Sequence, residues 1–166
     1  MRRVFAAIGS ALFLVLAPGT VAGLVPWWIS RWRFEPHPPW WLPLQTIGAA
    51  LVAIGALVLV DSFTRFAVKG LGTPAPIFPT KHLVVTGIYR YLRNPMYVAV
   101  VALIVGQGLI FANTHVIEYG VLVWLVAHVF VIAYEEPMLR ASFGSDYEAF
   151  CRGVSRWIPR LTPWQG

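Results

Sequence analysis

At 166 residues the chain has room for one domain with one core, yet 58% of it is hydrophobic and only 12% charged, about half the charge fraction of a soluble domain. Lipid is the solvent that suits such a composition, and the eight Trp, six Tyr and ten Phe supply the amphipathic rings that gather at membrane interfaces. The net charge of +6 does not mark a nucleic-acid binder, because the basic residues stand between apolar spans, while a single cysteine, Cys151, excludes an intramolecular disulfide and a cysteine-based zinc cluster.

Behind Arg2 and Arg3, the stretch Val4 to Ile29 carries no charge and exceeds the roughly 20 residues that a helix needs to cross a bilayer. Pro18-Gly19 is expected to kink this first span, and Trp27-Trp28 mark its far interface. The same start fits a cleaved signal peptide with small residues at Ala22-Gly23, although the apolar run continues past that point, which favours a retained helix. Ser30 to Trp41, with Arg31, Arg33, Glu35, His37 and three prolines, reads as a short external loop. Pro43 to Val60 is a second span in which Gly48 and Gly55 share a face and predict close helix packing. Asp61 and Arg65 then fall at i and i+4, spaced to pair.

The connector from Arg65 to Asn94 is polar and broken by Gly70-Leu71-Gly72-Thr73-Pro74-Ala75-Pro76 and Pro79. Its length points to function, but Gly-Leu-Gly without a third glycine or a preceding strand is no dinucleotide loop. Met96 to Ala112 and Val116 to Tyr134 are the third and fourth spans, joined at Asn113-Thr114 into an antiparallel hairpin. Gln107, Glu118 and His128 lie in or near membrane depth, where unpaired polar groups are costly. Trp124, His128 and Glu135 share one face of the fourth span, predicted to turn into the bundle. For His128, a core histidine bonded to a neighbouring helix and a direct role in chemistry both fit.

After Pro137, Leu139, Phe143, Tyr147 and Cys151 recur every four residues with charges between them. This is the pattern of an amphipathic helix, interrupted at Gly144, lying on the membrane or over the inner ends of the spans. Arg156-Trp157-Ile158-Pro159-Arg160 reads as an interfacial anchor. Four spans put both termini on one side, which carries Arg2, Arg3, Arg65, Lys69, Lys81, Arg90, Arg93, Arg140, Arg152, Arg156 and Arg160 against Arg31 and Arg33 on the other. The positive-inside rule therefore assigns the termini, the connector and the Glu135-Glu136 pair to the cytoplasm. The expected fold is an all-α membrane protein of about four transmembrane helices, with an N-terminal two-span region over 1–64 and a core over 65–166 containing the hairpin and a cytoplasmic amphipathic helix.

Arg93, Asn94, Pro95 and Tyr97 enter the third span from the side on which Glu135 and Glu136 leave the fourth, so the hairpin brings them level. Pro137 disfavours helical geometry at Glu136 and removes a backbone donor, which is expected to loosen the helix and free carbonyls there. Adjacent glutamates on a helix point about 100° apart, so they do not form a dyad sharing one atom. A structural ion pair between Arg93 and one glutamate, and a ligand site, both fit this spacing.

In their order, Gly72-Thr73-Pro74-Ala75-Pro76, Leu83-Val84, Gly87-Ile88-Tyr89-Arg90, Arg93-Asn94-Pro95-Met96-Tyr97, Glu135-Glu136, Phe143-Gly144-Ser145-Asp146-Tyr147 and Pro159 resemble the isoprenylcysteine carboxyl methyltransferase family. These are integral-membrane S-adenosylmethionine-dependent methyltransferases that also relate to phospholipid N-methyltransferases. The resemblance implies a cytoplasm-facing S-adenosylmethionine site involving Tyr89, Arg93, Asn94, Pro95, Tyr97, His128, Glu135 and Glu136, with Arg93, Glu135 and Glu136 in catalytic roles. It further implies a membrane lipid or lipid-modified acceptor taken sideways from the bilayer and methylated at a carboxylate. A phospholipid amine as acceptor, and a non-enzymatic membrane carrier or assembly protein, are the alternatives. Two positions depart from the family's pattern: Asn94 stands where eukaryotic members usually have His, removing a titratable group, and Ala99 stands where Gly is common, narrowing the approach to the cofactor.

Overall fold

A computed structural model describes residues 16–65, 83 and 85–165. The first half of the first span with Arg2 and Arg3, and the connector stretch containing Lys69, Gly72 to Pro76, Pro79 and Lys81, lie outside the described residues. Every regular element among the described residues is helical. Helix α1 covers residues 16–30 and contains a π turn at Thr20–Leu24, α2 runs Leu42–Arg65 behind a 3₁₀ turn at Pro39–Trp41, and α3 runs Pro95–Phe111. Helix α4 runs Thr114–Phe130, a π turn follows at Val131–Glu135, and α5 runs Glu136–Gly153. Two helical segments, Pro39–Arg65 and Thr114–Gly153, are long and apolar enough to cross a membrane, and Pro95–Phe111 is a shorter apolar helix. Their outer faces stay apolar, with Ile54, Leu57 and Val60 exposed on α2 and Leu122, Val126 and Val129 on α4.

The centre of the bundle is α3. Its Ile104 packs with Ala22 of α1 and Val116 of α4, and its Ala99 packs with Leu59 and Phe63 of α2. The α2–α3 contact is set by the expected glycines: a Cβ on Gly48 would come within 2.6 Å of the Gly106 carbonyl oxygen, and one on Gly106 within 2.7 Å of the Gly48 oxygen. Backbone meets backbone here, so neither side yields, and Gly106→Ala is expected to cost about 1–3 kcal/mol, read as a lowered melting temperature in detergent. On the other flank α4 follows α3 after two residues and packs back on it, with Gly120 against Ile104 and Val105 and Gly108 against Ile117. Asn113 caps α4, its side chain accepting from the Val116 N–H at 3.0 Å, which satisfies one orphan donor of the first turn.

Pro26 and Pro137 are each preceded by a wide turn. Val25 N–H reaches back five residues to Thr20 O just before Pro26, and Glu136 N–H reaches Val131 O just before Pro137. Pro26 has no N–H for the Ala22 carbonyl, and that oxygen instead accepts from Gln107 Nε2 at 2.7 Å, while Tyr119 Oη donates to Val21 O at 3.1 Å. Gln107 Oε1 accepts from Trp32 Nε1 at 3.1 Å, so the polar groups at this depth find partners. At Pro18-Gly19, where a kink is expected, Gly19 keeps helical φ −63° and ψ −39°, and the π turn begins at the next residue. The expected loss of helical geometry at Glu136 is corrected: Glu136 keeps φ −63° and ψ −44°, because the π turn absorbs the missing donor one turn earlier.

Helix α5 changes direction at Gly144, whose φ of 50° and ψ of −124° suit a residue without Cβ. Beyond it Tyr147, Phe150 and Val154 pack with Leu83, Val85, Leu139, Phe143 and Trp164. The apolar stripe read from the sequence therefore covers the connector's end and the C-terminal tail.

Candidate functional site

The tail after Gly153 is the element that assembles the site. It runs along the segment Arg90 to Asn94 through backbone bonds from Arg93 N to Ser155 O at 3.0 Å, Arg160 N to Tyr91 O at 2.9 Å and Trp164 N to Arg90 O at 2.9 Å. Two side chains reinforce the seam, Asn94 Nδ2 donating to Arg156 O at 3.2 Å and Arg90 Nε to Trp164 O at 2.7 Å. Asn94 and Pro95 thereby serve position, since Asn94 is buried against the tail and Pro95 opens α3, where a missing N–H costs nothing.

The two glutamates have opposite surroundings. Glu136 is 3% exposed and lies among three guanidinium groups: Arg156 binds it bidentately at 2.6 and 3.1 Å, Arg93 Nη1 stands at 3.3 Å and Arg140 Nη2 at 3.4 Å. The hydrogen bond to Glu136 raises the pKa of Arg156 above its ordinary value. Arg93 also donates to Cys151 Sγ at 2.7 Å, while its Nε is buried without a partner. Glu135 is half-buried and accepts one hydrogen bond, from Tyr97 Oη at 2.9 Å.

Beside Glu135 stands an aromatic wall. Trp157 lies edge-on to Tyr97 at 6.5 Å and to Trp124 at 6.4 Å, and Trp124 stacks on His128 at 5.3 Å. Trp157 Nε1 donates to His128 Nδ1 at 2.9 Å, so the ring accepts at Nδ1 and carries its proton on Nε2. The partner of His128 is thus the tail, not a neighbouring helix. Trp124 stays 37% exposed, on the apolar outer side of α4.

Of the residues singled out in the sequence, Arg93, Tyr97, His128, Glu135 and Glu136 are brought together. Tyr89 is buried beside Ser62 of α2, where burial pushes its phenol up. Arg140, Cys151, Arg156 and Trp157 complete the cluster and were not among the expected site residues. Arg156 and Trp157, read as part of an interfacial anchor, face inward instead, because the backbone seam with Arg90 to Asn94 turns the tail back over α3 and α4.

A helical, lipid-suited bundle with a buried carboxylate–arginine hub beside a second carboxylate and an aromatic wall defines the class. The sequence profile of the phospholipid methyltransferase family matches residues 44–146, and the chain belongs to this family. The match takes in α2, α3, α4 and both glutamates, and agrees with the resemblance carried by the motifs. No curated protein matches the chain. Family membership and the two long apolar helices together indicate a membrane methyltransferase.

Proposed function

We propose that the chain is an integral-membrane, S-adenosylmethionine-dependent methyltransferase of four spans, with a cofactor site facing the cytoplasm and a lipid acceptor that arrives from the bilayer. The observation that carries this reading is the convergence of Arg93 and Tyr97 with Glu135 and Glu136 inside the family-matched segment. The residues present suit the cofactor. The orphaned Nε of Arg93 offers a charge-assisted donor to its carboxylate, and Glu135 with the rings of Tyr97, Trp124 and Trp157 offers a negative, aromatic surface to its cationic groups. When bound, the cofactor supplies an electrophilic methyl group on a sulfonium.

Methyl transfer depends on in-line positioning and exclusion of water more than on acid–base groups, and the tail over α3 and α4 serves both. For the acceptor, the surroundings of the two glutamates favour an amine over a carboxylate. An ammonium group has to lose a proton before it attacks, and Glu135, with Tyr97 as its one hydrogen-bond donor among the described contacts, is placed to take it. A carboxylate acceptor would instead meet the charge of Glu135 while the nearby arginines are drawn to Glu136.

Arg93→Lys separates the ligand role from the ion pair, because lysine keeps a charge for Glu136 but has no second donor at the Nε position. Calorimetry in detergent is expected to show S-adenosylmethionine binding to the parent protein and about tenfold weaker binding to the variant, the loss of roughly one good hydrogen bond to a charged group. Unchanged affinity would remove Arg93 from the cofactor site.

A further inference from the structure

Thr86 and the motif residues Gly87 and Arg90 are not used by the methyl-transfer site, yet they line an open pocket of their own. It measures about 470 Å³ and is lined by Arg65 at the end of α2 together with Thr86, Gly87, Arg90 and Trp164. Gly87 has φ +59°, and a Cβ there would overlap the Arg65 guanidinium. The glycine therefore makes the space in which Arg65 lies. Asp61 holds Arg65 from the other side, at 2.7 and 2.8 Å to Nε and Nη2, and Arg90 is held through Nε by Trp164 O. Both guanidinium groups are thus anchored by one edge. Thr86 Oγ1 is buried and has no partner, a cost that a ligand acceptor atom would remove.

Two arginines against Asp61 leave this cavity with one net positive charge, the complement of a singly charged phosphate diester. Its place follows from α2: the apolar run ends at Val60, and Arg65 stands one turn beyond Asp61, at the depth where lipid headgroups meet a spanning helix. Arg90 and Arg93 lie on one segment held by the same tail, through Trp164 N to Arg90 O and Arg93 N to Ser155 O, and Arg93 stands 3.3 Å from Glu136, so the cavity and the methyl-transfer site adjoin along this segment.

We infer that Arg65, Arg90 and Thr86 form a phosphate-binding site, which holds the phosphodiester of a phospholipid whose headgroup extends toward Glu135. The lipid assignment rests on the methyltransferase reading; the anion site does not. The full chain in an uncharged, phosphate-free detergent is titrated with a short-chain phosphatidylmethanol, the diacylglycerol of the same chain length, and dimethyl phosphate. Phosphatidylmethanol is expected to bind saturably and about tenfold more tightly than the diacylglycerol. Arg65→Gln is expected to weaken it about tenfold, and Thr86→Val, which keeps shape and removes only the hydroxyl, several-fold.

Dimethyl phosphate binding as tightly as the lipid would keep the anion site and overturn the lipid as its source. Equal binding of diacylglycerol and phosphatidylmethanol, or parent affinity in both variants, would overturn the site itself. S-adenosylmethionine affinity, measured on the same samples, is expected to be unchanged in Arg65→Gln. Selective lipid binding without any cofactor binding would overturn the methyltransferase reading and leave the phosphate site standing.

Discussion

Glu136→Ala is expected to destabilise the folded protein by about 3–5 kcal/mol, the range for breaking a buried ion pair by removing one partner. The Glu136 side chain is 4% exposed and that of Arg93 11%, so water does not replace what is lost. Without Glu136, the Arg93 guanidinium retains only the Cys151 sulfur among its partners in the described residues, and Arg156 loses a bidentate bond of 2.6 and 3.1 Å. Arg156 also belongs to the tail seam, so the damage extends to the contact with Arg90 to Asn94. Arg140, 44% exposed and paired with Glu148 at 2.8 Å, contributes little by comparison, and Arg140→Ala serves as the control. Thermal unfolding in detergent is expected to place Glu136→Ala roughly 10 °C below the parent protein. Parent-like melting would show that the hub does not hold the fold.

Glu135→Gln is expected to behave in the opposite way. Its carboxylate touches one phenol and no arginine within bonding distance among the described residues, and glutamine preserves its shape and its ability to accept from Tyr97. Folding is therefore expected to survive, while cofactor affinity falls only by the loss of one charge from the surface offered to its cationic groups, a smaller effect than that on transfer. Methyl transfer to an amine acceptor is expected to fall by about 10²–10⁴, the usual contribution of a positioned general base. The pair thus assigns stability to Glu136 and chemistry to Glu135. Melting curves and transfer rates on both variants separate the two, and a Glu135→Gln enzyme with full activity would exclude this residue as the base.

Elements with a strong local signal were legible in the sequence. Gly48 predicted close packing because a helix face without side chains has no other use in an apolar span, and it meets Gly106 backbone to backbone. Asp61 and Arg65 pair at the expected spacing, and Gly144 interrupts α5 as its lack of Cβ allows. What stayed hidden depends on contacts between distant residues. Arg156 and Trp157 carry no periodic pattern, and only the seam between Ser155 to Trp164 and Arg90 to Asn94 turns them inward. Which glutamate meets arginine was equally unreadable, because the π turn at Val131–Glu135 rotates both side chains relative to a regular helix. The same turn moved the expected loosening at Pro137 away from Glu136.

Transfer of a labelled methyl group from S-adenosylmethionine to defined lipids by the purified full chain tests the central claim most directly. Lipids with a primary-amine headgroup and otherwise identical lipids ending in a carboxylate are offered side by side. Label is expected in the amine lipid, dependent on Glu135 and lost with it. Label in the carboxylate lipid alone would contradict the assignment of Glu135 as base, and no transfer to any lipid by folded, cofactor-saturated protein would contradict the account as a whole.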